Sequence, residues 1–199
     1  MDINVMNKLS YGLFMLSSKK DNKDNGCIVN TVMQVTASPN RIAVSVNKQN
    51  YTHDLIKDTG LFNVSILSEK SVFETYKHWG FQTGKEVDKT VDIIYSRSSN
   101  GLIYIAEGCN AYISAKVVES HDLGTHTLFI ADVTDGEILN NEESVTYSFY
   151  HKKIKPAPQE SKKKGWVCII CGYIYEGENL PADFICPLCK HPASDFKPL

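Results

Sequence analysis

The four cysteines near the C-terminus form two Cys-x-x-Cys pairs, Cys168–Cys171 and Cys186–Cys189, separated by fourteen residues. Each pair can wrap one tight turn around an ion. Together they supply four thiolates in a tetrahedron, which suits zinc and iron alike. The alternative is two disulfides in a small secreted domain. We expect no secretory signal at the N-terminus, and Cys27 and Cys109 are predicted to be free thiols. The pattern therefore predicts a four-cysteine metal site in a protein of the reducing cytoplasm.

Aromatic residues surround the two cysteine pairs. In chain order they are Trp166, Tyr173, Tyr175, Phe184 and Phe196. A structural zinc site needs little of this, whereas an electron-transfer iron site gains from an apolar shell that limits water and strengthens N–H···S hydrogen bonds. A module this short also depends on a metal for its stability. The aromatic shell favours iron, with zinc as the alternative. His191 is left out of the ligand set because four thiolates already close the site.

A second group of polar residues lies in stretches that otherwise favour β-strands. Polar side chains recur from Asn30 to Thr36, and another run leads from Asn47 at a strand end to Thr52 at a helix start. The free N–H groups at a helix start, together with hydroxyl groups and Lys48, can cradle a phosphate. Ordinary caps and turns would explain the same cluster equally well.

Several common catalytic signatures do not occur in this sequence. No GxGxxG follows a predicted strand, and neither GxxxxGK[ST] nor GxSxG is found, so a Rossmann site, a P-loop and a nucleophile elbow are unsupported. His121 and His126 stand five residues apart around a turn. For this pair, solvation or hydrogen bonding is a simpler interpretation than metal ligation.

The composition is that of an ordinary globular protein, with 42% hydrophobic and 22% charged residues. A net charge of -2 argues against a general nucleic-acid binder, which is usually basic. No stretch approaches the length of apolar chain that a transmembrane helix needs. We therefore expect neither nucleic-acid nor membrane partners.

The elements that must position these residues are mainly β-strands. A turn is predicted at Asn25-Gly26, a strand over residues 29–35, and a helix that begins near Asn50 or Thr52 and ends at Gly60. Further strands alternate over 42–46, 61–67, 102–106, 111–119, 127–133 and 145–150, and a second helix is predicted over 68–79. Many short strands with two helices predict a mainly β fold with an antiparallel barrel.

The composition changes near Lys152. Residues 152–165 contain six lysines and two prolines and almost no apolar side chain, which is typical of a flexible linker. The lysines are interpreted as solvated, although docking onto an acidic partner is the alternative. The predicted organisation is a barrel domain over 1–151, a linker over 152–165 and a small metal domain over 166–199.

The C-terminal module resembles a rubredoxin. The similarity covers residues 166–175, which read WVCIICGYIY, and residues 180–189, which read LPADFICPLC. The stretch between the cysteine pairs is shorter than in free-standing rubredoxins and resembles the version appended to rubrerythrins. The resemblance implies one iron, bound by the four cysteines, that cycles between the ferrous and ferric states.

The first 151 residues resemble the flavin reductase family of split-barrel FMN proteins. The motifs that carry the similarity are residues 25–36, 42–48, 51–53, 80–85 and 124–133. The resemblance implies a homodimer formed through the barrel domain, with FMN near the subunit interface. It assigns the edge of the isoalloxazine ring to Gln34, Val35 and Thr36. It assigns the ribityl phosphate to Asn47, Lys48, Tyr51 and Thr52, with Lys85 as a further candidate. The reactive face of the flavin would be lined by Asn25, Cys27, Thr31 and His126.

A flavin reductase-like barrel followed by a rubredoxin is the arrangement of the high-molecular-weight rubredoxins. This resemblance implies an enzyme that oxidises NAD(P)H through FMN and passes single electrons through the iron to a partner, such as a flavodiiron protein that reduces dioxygen or nitric oxide. The family alone favours NADH. One alternative is a rubredoxin-type carrier that a separate reductase loads. Another is a zinc-stabilised binding module without enzymatic activity.

Overall fold

The computed structural model describes residues 2–156 and 165–199. Seven strands form one antiparallel sheet in the order β2-β1-β5-β8-β9-β4-β3, and three short strands form a separate sheet in the order β11-β10-β12. The strands are β1 Phe14–Lys20, β2 Lys23–Val29, β3 Met33–Ala37, β4 Asn40–Asn47, β5 Leu61–Leu67, β6 Ser96–Arg97, β7 Ile103–Tyr104, β8 Cys109–Asp122, β9 His126–Ile138, β10 Trp166–Cys168, β11 Ile174–Tyr175 and β12 Phe196–Pro198.

Helices are few and short. They are α1 Tyr51–Thr59, α2 Phe73–Gly80, α3 Tyr147–Phe149 with the π-helix Tyr150–Ile154 that continues it, and the 3-10 helices Ile3–Lys8 and Ala193–Asp195. The prediction of a mainly β protein with a few helices is therefore confirmed. Among residues 2–156 and 165–199, no helix has the length and apolar character needed to cross a bilayer.

The main core lies inside the curve of the seven-stranded sheet. Strands that are distant in the sheet order contribute to one buried cluster: Leu16 from β1, Val44 and Val46 from β4, Phe62 and Val64 from β5, Ala115 from β8, and Phe129 and Ala131 from β9. A flat sheet would keep these side chains apart, so the shared cluster indicates that the sheet curls around them.

A second core holds α2 and the end of the barrel segment together. Tyr76 and Trp79 of α2 are almost fully buried, and Tyr150 packs against them. Ile154 contacts the same cluster, so helical chain extends three residues into the range predicted as a linker. Residues 157–164 of that predicted linker lie outside the described residues.

The turn between β1 and β2 differs from the prediction. Asp21 and Asn22 adopt positive φ angles of 48° and 64°, a region that short polar side chains tolerate. The predicted turn at Asn25-Gly26 is wrong because both residues lie in β2, where they pair with β1. Gly26 is needed there for space, since a Cβ at this position would overlap the ring of Trp79.

Three other predicted elements differ in the structure. The strand predicted over 145–150 is wrong because residues 147–154 are helical. The strand predicted over 29–35 is interrupted, because β2 ends at Val29 and β3 begins at Met33. The helix predicted from residue 68 begins only at Phe73. The first helix is confirmed: α1 follows Asn50 and ends at Gly60, whose φ of 68° lets its N–H reach the Ile56 carbonyl oxygen.

Candidate functional site

The four cysteines of the two Cys-x-x-Cys pairs meet at one point. Their Sγ atoms all lie within 4.8 Å of one another. The Sγ atoms of Cys168 and Cys189 are 3.5 Å apart, as are those of Cys171 and Cys186. Four soft sulfur donors at these separations fit a tetrahedral metal site. The structure thus brings together the complete ligand set predicted from the spacing.

Backbone N–H groups surround the sulfur atoms. Burial raises the pKa of the Cys168 thiol to about 11, and hydrogen bonds from the N–H groups of Cys171 and Ile170 act in the opposite direction. The N–H of Tyr173 hydrogen-bonds Cys171 in the same way. Gly172, with a φ of 82°, makes the tight turn that aims these groups at sulfur. Such donors stabilise negative charge on the ligands and are typical of iron–sulfur sites.

The aromatic residues noted in the sequence form the shell of this site. Trp166, Tyr173, Tyr175 and Phe184 all pack against the buried cysteines and Phe196. Phe81, which follows α2 in the barrel segment, packs against the same cluster. The metal centre is therefore shielded from water on a side that contacts the barrel.

A cavity of about 470 Å³ lies between the barrel segment and the C-terminal module. This volume is in the range typical of cofactor sites. Eight of the twelve residues predicted to contact a flavin line it: Asn25, Cys27, Thr31, Asn47, Tyr51, Thr52, Lys85 and His126. They come from β2, the β2–β3 connection, the end of β4, the start of α1, the loop after α2 and the start of β9. Residues from distant parts of the sequence therefore converge on one cavity.

The other four predicted residues lie away from this cavity. Gln34, Val35 and Thr36 are exposed on β3, the outer strand next to β4. Lys48 forms an ion pair with Asp122, with 2.6 Å between Nζ and Oδ1. Within one chain, these residues are not part of the cavity wall.

The start of α1 is the polar end of the cavity. The side chain of Asn50, the residue before the helix, makes no capping hydrogen bond. The first N–H groups of α1 therefore lack the usual side-chain acceptor. Thr52 is fully buried, and its Oγ1 accepts a hydrogen bond of 2.8 Å from Nδ2 of Asn25. An uncapped helix start beside an ordered hydroxyl fits an anionic group such as a phosphate.

Lys89 also lines the cavity, although nothing in the sequence marks it as a site residue. Its side chain is buried, and Nζ donates to the carbonyl oxygens of Gly26 at 2.9 Å and Trp79 at 2.8 Å. Burial lowers the pKa of Lys89 to about 8, and the nearby Cys27 acts in the opposite direction. Lysine in a polar segment ordinarily indicates a solvated side chain, so only the three-dimensional structure reveals it.

The pKa values of two further cavity residues are shifted by burial. Burial raises the pKa of the Cys27 thiol, which keeps it protonated near neutral pH although Thr52 and Lys89 lower the pKa. Partial burial lowers the pKa of His126, and its Nδ1 lies 2.9 Å from Thr125 Oγ1. Both side chains therefore face the cavity as neutral groups at pH 7.

The second cysteine pair contributes directly to the cavity wall. Leu188, Cys189, Lys190 and His191 line it together with the barrel residues, as does Ile170. Nδ1 of His191 is buried and has no hydrogen-bond partner among the described residues. A buried nitrogen without a hydrogen-bond partner thus lies two residues along the chain from the metal ligand Cys189.

Comparison with known proteins supports the two-part organisation. Residues 6–158 match the flavin reductase like domain family, and residues 166–197 match the rubrerythrin, rubredoxin-like domain family. These matches confirm the resemblances found in the sequence.

Two relatives and one solved structure illustrate the similarity. A high molecular weight rubredoxin from Moorella thermoacetica is 35% identical over 95% of this chain and 96% of its own. A ferric-chelate reductase (NAD(P)H) from Archaeoglobus fulgidus is 38% identical over 76% of this chain and 89% of its own. The structure of the NADH:FAD oxidoreductase SgcE6 from Streptomyces globisporus aligns with a TM-score of 0.66 at 19% identity, covering 73% of this chain and 86% of that one, which shows a shared fold.

Proposed function

Because this chain belongs to the flavin reductase like domain family and carries a rubredoxin-like domain after it, we propose that it is an electron-transfer flavoprotein. In this proposal it oxidises NAD(P)H with FMN held in the cavity and passes single electrons through an iron centre to a partner protein. The observation that carries the proposal is the shared cavity, which is lined both by Asn25 and Thr52 of the barrel and by the metal ligand Cys189.

The electron count explains why two centres are needed. NAD(P)H releases a hydride, which carries two electrons, whereas a single iron accepts one. FMN, when bound, supplies the conversion between the two. The oxidation of one NAD(P)H therefore reduces two ferric centres to ferrous centres and releases one proton. Cys189 in the cavity wall supports direct transfer because no further carrier is needed between the two sites.

The start of α1 would hold the FMN phosphate. The uncapped N–H groups near Tyr51 and the hydroxyl of Thr52 are suited to an anion, and Asn25 holds that hydroxyl in place. We expect Thr52→Ala to weaken FMN binding about tenfold, because the loss of a hydrogen bond to a charged group is worth about 1.5 kcal/mol. Lys48→Ala is the matched control, since Lys48 is paired with Asp122. Equal FMN loss in both variants would show that the phosphate lies elsewhere.

The remaining polar cavity residues would orient the reactants. His126, neutral at pH 7, faces the cavity and can hydrogen-bond a nicotinamide or flavin group without adding charge. Lys89 supplies a buried positive charge near the floor of the cavity. Hydride transfer needs positioning above all, so no general acid or base is assigned.

The proposal is tested with Cys171→Ser and rapid mixing. In the wild type, NADH should bleach the flavin absorbance rapidly and then the ferric absorbance. In Cys171→Ser, the iron spectrum should be lost while flavin bleaching by NADH survives. No rapid bleaching in the wild type would favour the second candidate, a rubredoxin-type carrier loaded by a separate reductase. A colourless protein that contains zinc would contradict both.

The acceptor in this proposal is a flavodiiron protein that reduces dioxygen or nitric oxide, in the cytoplasm. Only the family resemblance supports this choice. The test is consumption of either gas in a mixture of NADH, this protein and a flavodiiron protein. Consumption that is equally fast with Cys171→Ser would show that the iron is not on the route.

A homodimer completes the proposal. Strand β3 is one of the two outer strands of the sheet, and on it Met33 is 59% exposed and Val35 is 43% exposed. An exposed apolar outer strand favours association with another chain. Light scattering of the purified protein tests this, and a monomeric mass at micromolar concentration would contradict it.

A further inference from the structure

Lys155 connects the barrel segment to the metal centre. Its backbone N–H donates to the carbonyl oxygen of Tyr150 at 2.8 Å, which fixes it at the end of the π-helix packed on the barrel. Its side chain reaches into the C-terminal module, where Nζ donates to the carbonyl oxygens of Ile169 at 2.8 Å and Ile170 at 2.7 Å. One ammonium group thus binds the loop between the first two metal ligands.

The two carbonyl groups belong to the peptide units that serve the sulfur. The carbonyl of Ile169 shares its peptide unit with the N–H of Ile170, and the carbonyl of Ile170 shares its unit with the N–H of Cys171. These are the two N–H groups that hydrogen-bond Cys168. Lys155 therefore sits at the acceptor end of both peptide units, and the metal ligand sits at their donor end.

We propose that Lys155 raises the reduction potential of the iron by polarising these two peptide units and by placing a positive charge beside the site. A cation on a carbonyl oxygen withdraws electron density from the attached N–H, and chains of hydrogen bonds strengthen one another in this way. Hydrogen bonds to the cysteine sulfurs are a main determinant of iron–sulfur potentials. The inference rests on the proposed function only in taking the bound metal to be iron.

The direction of the effect follows from charge. Ferric iron with four thiolates carries one net negative charge, and ferrous iron with four thiolates carries two. A fixed cation and stronger N–H···S bonds stabilise the more negative ferrous form more. Removal of the cation should therefore make the iron harder to reduce.

The same contact links the redox state to the position of the domain. Lys155 belongs to the barrel side and the carbonyl groups to the rubredoxin-like side, so the contact exists only when the two are docked. By reciprocity, a contact that favours the ferrous form by a given factor is itself favoured in the ferrous form by the same factor. Docking over the cavity thus prepares the iron to accept an electron from that side.

The test uses the full chain with iron and FMN bound. Lys155→Gln removes the charge, Lys155→Arg keeps it, and Lys153→Gln removes an exposed lysine of the same π-helix. With the solution poised at the wild-type midpoint potential, we expect the ferrous to ferric ratio of Lys155→Gln to be about tenfold lower than in the wild type. This corresponds to a reduction potential about 59 mV lower, the size expected for one charge in partly solvated surroundings. Lys155→Arg and Lys153→Gln should stay close to the wild type. An unchanged ratio in Lys155→Gln would overturn the proposal.

A second measurement separates the mechanism from a loss of folding or of iron. In the full chain loaded with zinc, which is diamagnetic, the amide proton resonances of Ile170 and Cys171 should shift upfield in Lys155→Gln. The amide of Tyr173 is the internal control. It hydrogen-bonds Cys171, and the carbonyl oxygen of its peptide unit, that of Gly172, is not one of the two acceptors of Lys155. Equal shifts of all three amides, or none, would refute the polarisation of these two peptide units. The result does not depend on NADH oxidation, so failure of the proposed function would leave it readable.

Discussion

The buried Lys89, which lines the cavity, allows a quantitative test of how burial affects its charge. The change is Lys89→Met, which keeps a similar volume and removes the ammonium group. Two opposing effects accompany it. The carbonyl oxygens of Gly26 and Trp79 lose their donor, at about 1–3 kcal/mol each, whereas the fold no longer has to bury a cation. Near pH 7 these effects largely offset each other, so we expect a net loss of only about 1–2 kcal/mol in the free energy of unfolding.

The pH dependence of that loss distinguishes the two effects. Burial lowers the pKa of Lys89 from 10.5 to about 8, so the unfolded chain binds the proton more tightly than the fold does. Between pH 8 and 10.5 unfolding takes up a proton, and the stability of the wild type rises with pH. This pKa difference corresponds to about 3 kcal/mol. Lys89→Met lacks this rise, so the stability gap should widen by about that amount across the window.

The measurement is urea unfolding of both proteins at several pH values from 7 to 10.5. The exposed Lys116→Met is the matched control for the loss of a lysine side chain. A gap between wild type and Lys89→Met that stays constant over this window would refute the lowered pKa of Lys89. A constant gap would mean that Lys89 is solvated or is held by a carboxylate.

Two further changes test the cavity wall and the sheet. In Gly84→Ala, the added Cβ would overlap the carboxamide of Asn25 and displace it from Thr52. We expect FMN to bind about fivefold more weakly in a fluorescence titration, and an unchanged affinity would contradict this arrangement. In Arg97→Gln, the buried Asp24 loses two hydrogen bonds of 3.0 and 2.7 Å. We expect the free energy of unfolding, measured with urea, to fall by about 3 kcal/mol. A decrease of less than about 1 kcal/mol would show that the carboxylate finds water or another donor.

Local chemistry explains which features were predictable from the sequence. The four cysteines and helix α1 depend on close neighbours in the chain, and both were found as predicted. The hairpin turn was misplaced because Asn25-Gly26 is a strong local turn signal. The pairing of β2 with β1 and the ring of Trp79 require that glycine inside β2. Tertiary packing outweighed the local preference.

Two lysines show more clearly what could not be predicted from the sequence. Both Lys89 and Lys155 lie in segments whose composition indicates solvated chain, yet each binds two backbone carbonyl oxygens. Carbonyl acceptors are present at every residue and leave no mark in the sequence. A lysine that uses them cannot be distinguished by its neighbours from one that is solvated.

The two Cys-x-x-Cys loops are equivalent in the sequence pattern and different in the structure. Both loops reach the cavity, the first through Ile170 and the second through the metal ligand Cys189, and the first loop is also bound by Lys155. The second loop therefore brings a metal ligand to the site from which an electron would come, and the first carries the cation that would make the iron accept it. Because Lys155 belongs to the barrel segment, both properties depend on docking. A rubredoxin-like domain separated from this barrel would keep its four ligands and lose both.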